Sequence, residues 1–163
     1  MRATAWAVAG LALAGGAARA EAPKVAVFDF EMINTSPAPT TPAEFGRLHG
    51  LDVQLRQMLD ATGKFQVVDD DAERAAIKKG PSIRGCNGCE LDAAKKAGAR
   101  YAAYGWIQKV SNLIINVNVV IEDAETGQQV KAGSADMRGN TDESWQRGLR
   151  YLMDERLFRT DAP

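Results

Sequence analysis

Lys24-Val-Ala-Val-Phe-Asp-Phe30 is the stretch that decides the fold of this chain. It is short, β-branched and aromatic, which is typical of a buried strand. A loop rich in Ser, Thr and Pro follows at 32–40. The next residues, Thr41-Pro42-Ala43-Glu44, have the pattern of a capping box with proline at the first helical position, so a long helix is predicted to begin there. A buried strand followed directly by a helix indicates the start of an α/β arrangement.

The rest of the chain continues the alternation of strands and helices. Leu113, Ile115, Val117, Val119 and Ile121 alternate with other residues along one strand and predict its buried face. The predicted segments are helix 42–62, strand 65–68, helices 72–79 and 90–97, strands 101–110, 113–123 and 128–137, and a last helix after residue 140.

These segments predict an α/β (α+β) fold with a single mixed sheet of about five strands in the order βαβααβββα. We expect the first strand at the centre of the sheet and the second strand on one side of it. The last three strands should form an antiparallel meander on the other side, with helices packed on the sheet.

The N-terminus has the three parts of a secretory signal peptide. Met1-Arg2 supplies the positive charge, 5–14 is apolar, and Ala18-Arg19-Ala20 resembles a cleavage site. The apolar stretch is shorter than the roughly 20 residues that span a bilayer. We therefore predict a signal peptide at 1–20, a single globular domain at 21–163, and a periplasmic location without a transmembrane segment in the mature chain.

The charge balance of the chain bears on the class of partner. The whole chain has a formal net charge of −1, and removal of Arg2 and Arg19 leaves 18 basic against 21 acidic residues, a net charge of −3. Nothing in this balance favours nucleic acid or an anionic membrane as a partner.

Cys86 and Cys89 are the two cysteines of the chain, in a Cys-Asn-Gly-Cys motif ahead of a predicted helix. Attachment of c-type haem needs a His directly after the second Cys, where Glu90 stands instead. A thioredoxin-like site would need a preceding strand, and a zinc site would need more than two thiolates and the single imidazole of His49. In an oxidising compartment a short structural disulfide is favoured, while thiol–disulfide exchange and metal handling stay open.

No catalytic constellation, resident metal or cofactor is predicted, so we do not expect an enzyme. The polar face of the strand 113–123 could instead contact a ligand or partner, although such a face is often only the solvated side of a sheet. The loop at Ser111-Asn112 and the loop from Arg138 to Asp142 offer further polar groups. The candidate surface residues are Ser111, Asn112, Asn116, Asn118, Arg138, Asn140 and Asp142.

Three runs of sequence resemble the signatures of a family of secreted bacterial proteins classed as a domain of unknown function. These runs are Arg84-Gly85-Cys86-Asn87-Gly88-Cys89-Glu90-Leu91-Asp92, Gly105-Trp106-Ile107-Gln108-Lys109-Val110-Ser111-Asn112 and Arg138-Gly139-Asn140-Thr141-Asp142-Glu143-Ser144-Trp145. The resemblance spans most of the predicted mature chain. It implies an association with periplasmic quinoprotein alcohol oxidation.

A second resemblance concerns the fold. The order Val25-Ala-Val-Phe-Asp-Phe30, Gly63-Lys-Phe-Gln-Val-Val-Asp69, Gly98-Ala-Arg-Tyr101 and Asp123-Ala-Glu-Thr-Gly127 is similar to the TolB N-terminal domain, to CsgG and to lipoprotein activators of penicillin-binding proteins. Those domains are non-enzymatic modules that bind other envelope proteins. The resemblance therefore implies an accessory module whose partner is a periplasmic or envelope protein. The alternative is a thiol–disulfide or metal-handling helper of a periplasmic oxidoreductase that uses Cys86 and Cys89.

Overall fold

The computed structural model describes residues 21–159, so the predicted signal peptide lies outside the described residues. Six strands and four α-helices follow one another within these described residues. The strands are β1 (Lys24–Val27), β2 (Glu31–Asn34), β3 (Gln66–Val67), β4 (Tyr101–Ser111), β5 (Ile114–Asp123) and β6 (Gln129–Met137). The helices are α1 (Pro42–Ala61), α2 (Asp71–Ile77), α3 (Cys89–Lys96) and α4 (Asp142–Tyr151), with a 3-10 turn at Ile83–Gly85 and a π-helical continuation of α4 at Leu152–Leu157.

The sheet has the predicted mixed topology, in the order β3-β1-β4-β5-β6. Strand β1 pairs in parallel with β3 on one side and with β4 on the other. Strands β4, β5 and β6 form the antiparallel meander. The predicted α+β fold, with its first strand at the centre and the meander to one side, is therefore confirmed.

One face of the sheet carries the main core. Helices α1 and α4 and the π-helical turn pack on this face, and Trp145 of α4 is buried there. Burial of large apolar side chains is the main favourable term in folding. Side chains at the centre of this core are Val27, Leu51, Leu55, Leu59, Ile107, Val117, Val119, Ile121, Trp145, Leu149 and Leu152.

A smaller apolar cluster lies on the opposite face, where α3 packs against β1 and β4. It contains Phe28, Ala94, Ala102, Tyr104 and Val120, with Trp106 half-buried at its margin. The presence of helices on both faces explains why β1 is apolar on both sides.

Strand β2 was not predicted, and the loop expected at 32–40 begins later than its sequence indicated. Glu31–Asn34 pairs in parallel with β4 over Trp106 to Lys109. Val27 pairs with Ala103 and Glu31 pairs with Trp106, so the chain inserts one extra residue between the two strands. Such a bulge bends a strand without ending its sheet. Strand β4, which pairs with β2, lies about seventy residues further along the chain, so the local sequence pattern does not predict this pairing.

Within residues 21–159, none of the helices combines the length and the apolar character that a membrane span requires.

Candidate functional site

The predicted loop residues meet at one end of the sheet. Lys109, Ile115 and Met137 lie side by side on β4, β5 and β6, so the β4–β5 turn and the β6–α4 connection leave the sheet at the same end. Asn140 Nδ2 donates to Asn112 Oδ1 at 3.1 Å. The fold thus brings the family-signature runs 105–112 and 138–145 into contact, although Asn112 and Asn140 are nearly thirty residues apart in the chain.

Glu44 connects this end of the sheet to helix α1. Its Oε2 accepts from the Thr41 N–H at 2.7 Å and the Thr41 side chain accepts from the Glu44 N–H, which confirms the predicted capping box. Its Oε1 accepts from Lys109 Nζ and from Asn140 Nδ2, both at 2.6 Å. Both Glu44 and Lys109 are buried.

The buried ion pair is a part of the site that sequence reasoning missed. The signal was present, because Lys109 continues the alternation of inward-facing residues Ala103, Gly105 and Ile107 along β4. Burial alone would raise the pKa of Glu44, but the hydrogen bonds from Lys109, Thr41 and Asn140 outweigh it and lower the pKa to about 2. Glu44 is therefore ionised throughout the neutral range.

Arg47, one turn further along α1, extends this network to the surface. Its Nε donates to Asp142 Oδ1 at 2.7 Å, its Nη1 donates to Asn140 Oδ1 at 3.1 Å, and its guanidinium lies 5.8 Å from the Trp145 ring centre. Asn140 and Asp142 thus hold the β6–α4 connection against α1. Their contact with a partner stays a prediction, as does that of Arg138.

An exposed apolar surface lies beside this network, at the turn between β4 and β5. Val110, Leu113 and Ile114 are 45%, 76% and 61% exposed. Ser111 Oγ accepts from the N–H groups of Leu113 and Ile114, at 3.2 Å each, and so supports the turn. We call Val110, Asn112, Leu113 and Ile114 the hairpin-tip surface. The prediction that Leu113 lies on the buried face of this strand is wrong. The chain is still turning at Leu113, and β5 begins only at Ile114.

The polar residues of β5 lie on the sheet face away from the main core. Asn116 and Asn118 are half-buried, and Asn118 Nδ2 donates to Asn116 Oδ1 at 2.7 Å. Their side chains share this face with Trp106, which pairs with Asn118 across the strands. The guanidinium of Arg84 lies 4.8 Å from the Trp106 ring centre. The structure thus brings Asn116 and Asn118 together but separates them from the loop residues.

A cleft of about 850 Å³ opens beside helix α1, at the bulge between β1 and β2. Asp52 lies in its wall, and its Oδ1 accepts from the Phe30 N–H at 2.6 Å. His49 has its Nδ1 3.8 Å from Asp52 Oδ2, and its side chain is exposed. Burial raises the pKa of Asp52 to about 6, although the Phe30 hydrogen bond acts in the opposite direction. Sequence reasoning had no signal for this cleft, because its lining comes from distant segments.

We expect Asp52→Asn to stabilise the protein at neutral pH. The native carboxyl keeps its proton up to a pH near 6, whereas the unfolded chain loses it near 3.8. Asp52 therefore lowers the free energy of unfolding as the pH rises from about 3.8 to about 6. Above pH 6, the buried charge costs on the order of 2 to 3 kcal/mol of stability. Asparagine retains an oxygen for the Phe30 N–H and removes the charge.

Urea denaturation of the wild type and Asp52→Asn at several pH values between 4 and 8 measures this effect. The two proteins should have similar stability near pH 4 and diverge as the pH rises. The exposed Asp154→Asn variant is the control, and it should follow the wild type. A difference between wild type and Asp52→Asn that does not change with pH would contradict the assignment.

Cys86 and Cys89 form a disulfide immediately before and at the start of α3. Asn87 and Gly88 between them have φ of 55° and 99°, left-handed conformations that these two residue types tolerate, as their sequence indicated. Sulfur atoms of both cysteines and a carboxylate oxygen of the buried Glu90 lie within 4.8 Å of one another. In the reduced form this group could bind a thiophilic metal ion or exchange with other thiols.

The mixed sheet with helices on both faces defines the protein as an α+β module, and this fold recurs in solved structures. The chain is similar to the LpoB C-terminal domain from Salmonella enterica, with 17% identity, a TM-score of 0.52, and coverage of 75% of this chain and 87% of that one. It is also similar to lipoprotein GNA1162 from Neisseria meningitidis, with 14% identity, a TM-score of 0.51, and coverage of 74% and 83%. PelC from Paraburkholderia phytofirmans, solved as a dodecamer, has 17% identity, a TM-score of 0.50, and coverage of 85% and 90%.

The chain belongs to the family DUF3280, described as "Protein of unknown function (DUF2380)", which matches residues 23–157. No curated protein matches the chain. At the identities above, the structural likenesses show a shared fold. These likenesses support the expected similarity in fold to envelope lipoproteins. The resemblance to TolB and CsgG stays a prediction.

Proposed function

We propose that this protein is an exported, non-catalytic accessory module of the bacterial envelope that binds a protein partner through the hairpin-tip surface. The observation that carries the proposal is the exposure of three large apolar side chains, Val110, Leu113 and Ile114, within five residues of one turn. Adjacent exposed apolar groups of this kind mark interaction sites more often than scattered ones.

The surroundings of the hairpin tip support this function. The Ser111 side chain and the Asn112–Asn140 hydrogen bond hold the turn in shape before any partner arrives, which reduces the entropy lost on binding. Asn112, Asn140 and Asp142 form a polar margin, as interfaces with an apolar centre commonly have. The fold shared with LpoB and a lipoprotein agrees with a location in the envelope.

Changing the hairpin tip to Leu113→Ser with Ile114→Ser should abolish partner binding without loss of folding. Removal of two apolar anchors from the centre of an interface commonly weakens binding by tenfold or more, about 1.4 kcal/mol per tenfold step. The measurement is co-purification with the tagged chain from its native envelope. Proteins recovered with the wild type should be depleted with this variant.

Val130→Thr is the matched control, since Val130 is a similarly exposed apolar residue on strand β6. This control should recover the same proteins as the wild type, and all three chains should have the same melting temperature. Equal recovery by the hairpin-tip variant would show that the partner binds elsewhere.

The family resemblance implies a narrower partner class, and we propose a periplasmic quinoprotein alcohol dehydrogenase as the first one to test. Purified enzyme of this class should bind the wild-type chain and the Val130→Thr control but not the hairpin-tip variant. If the same comparison recovers a partner of another class, the proposed binding function stands and the proposed link to alcohol oxidation is wrong.

A thiol–disulfide or metal-handling helper is the second candidate function. It would use the Cys86–Cys89 pair, which shares no residue with the hairpin-tip surface. The buried Glu90 carboxyl beside Cys86 favours this candidate. Stoichiometric binding of Zn²⁺ by the reduced chain would identify the metal-handling form of this function.

A further inference from the structure

The Cys86 sulfur contacts two main-chain groups, the Cys89 N–H and the Ile83 carbonyl oxygen, at 3.2 Å each. The main-chain N–H of Cys89, the first residue of α3, points at Cys86 Sγ with a nitrogen–sulfur distance of 3.2 Å. N–H groups at a helix N-terminus lower the pKa of a thiol that they contact. Both cysteines are only half-buried, so the disulfide can be reached from solvent. If the disulfide is opened, Cys86 is therefore the sulfur better suited to leave as a thiolate.

A buried carboxyl group contacts the same sulfur. Glu90 is 6% exposed, and its Oε2 lies 3.3 Å from Cys86 Sγ. Cys86 carries no hydrogen in the disulfide, so a protonated Glu90 would be the donor in this contact. Among residues 21–159, Glu90 has no basic partner within ion-pairing distance. Its side chain is thus directed at the sulfur instead of at a compensating charge.

The groups around Glu90 favour its protonated form. Burial raises the pKa of Glu90, its own main-chain N–H partly offsets this, and the nearby carboxylates of Glu122 and Asp92 raise it further. Glu122 on β5 accepts from the Tyr104 hydroxyl at 3.2 Å. Arg84, two residues before Cys86 in the chain, lies over the Trp106 ring. Glu90 therefore keeps its proton to higher pH than an exposed glutamate does.

We propose that Cys86–Cys89 is a thiol–disulfide exchange site in which Glu90 passes a proton to and from Cys86. A thiolate of an external dithiol attacks Cys89 Sγ and forms a mixed disulfide. The Cys86–Cys89 bond breaks, its electron pair goes to Cys86 Sγ, and Glu90 delivers its proton there and becomes a carboxylate. The second thiol of the reductant then loses its proton to solvent and attacks the reductant sulfur that is bonded to Cys89. This closes the disulfide of the reductant and releases Cys89 as a thiolate, which takes a proton from water.

The reaction oxidises one dithiol to a disulfide and reduces the protein disulfide to two thiols, and Glu90 regains its proton from solvent. The reverse sequence oxidises the protein with an external disulfide, and Glu90 then accepts the Cys86 proton. The chemical class of substrate is a dithiol or disulfide, borne by a protein or a small molecule. This inference does not depend on the hairpin-tip surface and can hold if that proposal fails.

Glu90→Gln tests the role of the carboxyl, because glutamine keeps the size and hydrogen-bonding capacity of the side chain but cannot deliver a proton. The full chain is reduced with dithiothreitol between pH 5.5 and 8, and the thiols formed are counted by alkylation. The rate constant is expressed per dithiothreitol thiolate. In the wild type it should decrease as Glu90 loses its proton, and at the acid end Glu90→Gln should be at least about tenfold slower and lack this inflection.

Glu143→Gln is the matched control, since Glu143 is an exposed glutamate in the first turn of helix α4 and does not touch either cysteine. Its pH profile should follow that of the wild type. A Glu90→Gln profile identical to the wild type would overturn the proposed role of Glu90. A disulfide that stays oxidised in excess reduced glutathione would identify the pair as structural and overturn the exchange site itself.

Discussion

Lys109→Met is expected to reduce the free energy of unfolding by about 3 to 5 kcal/mol at neutral pH. The substitution removes the ammonium that lies 2.6 Å from Glu44 Oε1 and leaves a buried carboxylate without its counter-charge. The Asn140 side chain and the Thr41 main chain would still contact Glu44, but neither carries a positive charge. Urea denaturation at pH 7 measures the loss.

The comparison with an exposed pair shows whether burial is the cause. Lys95→Met removes the partner of Asp92 at the surface and should cost less than about 1 kcal/mol. The double variant Glu44→Gln with Lys109→Met should recover at least half of the loss, because glutamine retains the capping-box oxygen without a charge. A Lys109→Met variant as stable as Lys95→Met would contradict the ion pair.

The free energy of unfolding of the wild type at acid pH should depend on the Glu44–Lys109 ion pair. The pKa of Glu44 is lowered from 4.5 to about 2, so its contribution is fully present above pH 4.5 and is lost as the pH falls towards 2. Lys109→Met should lose most of this pH dependence.

Gly105→Ala is expected to cost about 3 kcal/mol or more. A Cβ on residue 105 would lie 2.6 Å from Phe30 Cζ and 2.7 Å from the main-chain oxygen of Asn118. Side chains can move away from an added methyl group, but the Asn118 carbonyl is fixed within the β4–β5 ladder. Overpacking of this kind typically costs 1 to about 3 kcal/mol, and the main-chain contact places Gly105 at the upper end.

Gly46→Ala is the matched control, since no atom would lie within 4 Å of its Cβ. Gly46 belongs to helix α1, where alanine is favoured over glycine, so this change should raise the stability by about 0.5 to 1 kcal/mol. Thermal unfolding of both variants should therefore shift in opposite directions. A Gly105→Ala variant within about 1 kcal/mol of the wild type would show that Phe30 and β4 are less closely packed than described.

The outline of the fold was predictable because its signals are local. The capping box at Thr41 and Glu44 lies within one helical turn, and the alternation from Ile115 to Ile121 repeats every second residue. The Cys86–Cys89 pairing also involves near neighbours, and Asn87 and Gly88 between them suit the turn. Each of these features involves residues a few positions apart, so periodicity and capping rules reach them.

The features that were missed join residues far apart in the chain. Strand β2 has no strong pattern of its own and exists through its pairing with β4 and through the bulge held by Asp52. Asn112 and Asn140 belong to two separate loops along the chain, and the sequence does not show that they touch. The hairpin-tip surface was similarly hidden, since alternation assigned Leu113 to the buried face.

Apart from β2, the sequence by itself determined the order of the elements, the capped helix starts and the cysteine pair, because these depend on local propensity and on the alternation of apolar residues. Only the tertiary structure decided which charges are buried and what they face. Glu44 meets Lys109 and Asn140 across 65 and 96 residues of chain, and Glu90 is directed at a sulfur because α3 packs on the sheet. Burial and charge pairing are properties of the packed molecule, so the chemical roles proposed for Glu44, Asp52 and Glu90 follow from the packing and not from their positions in the sequence.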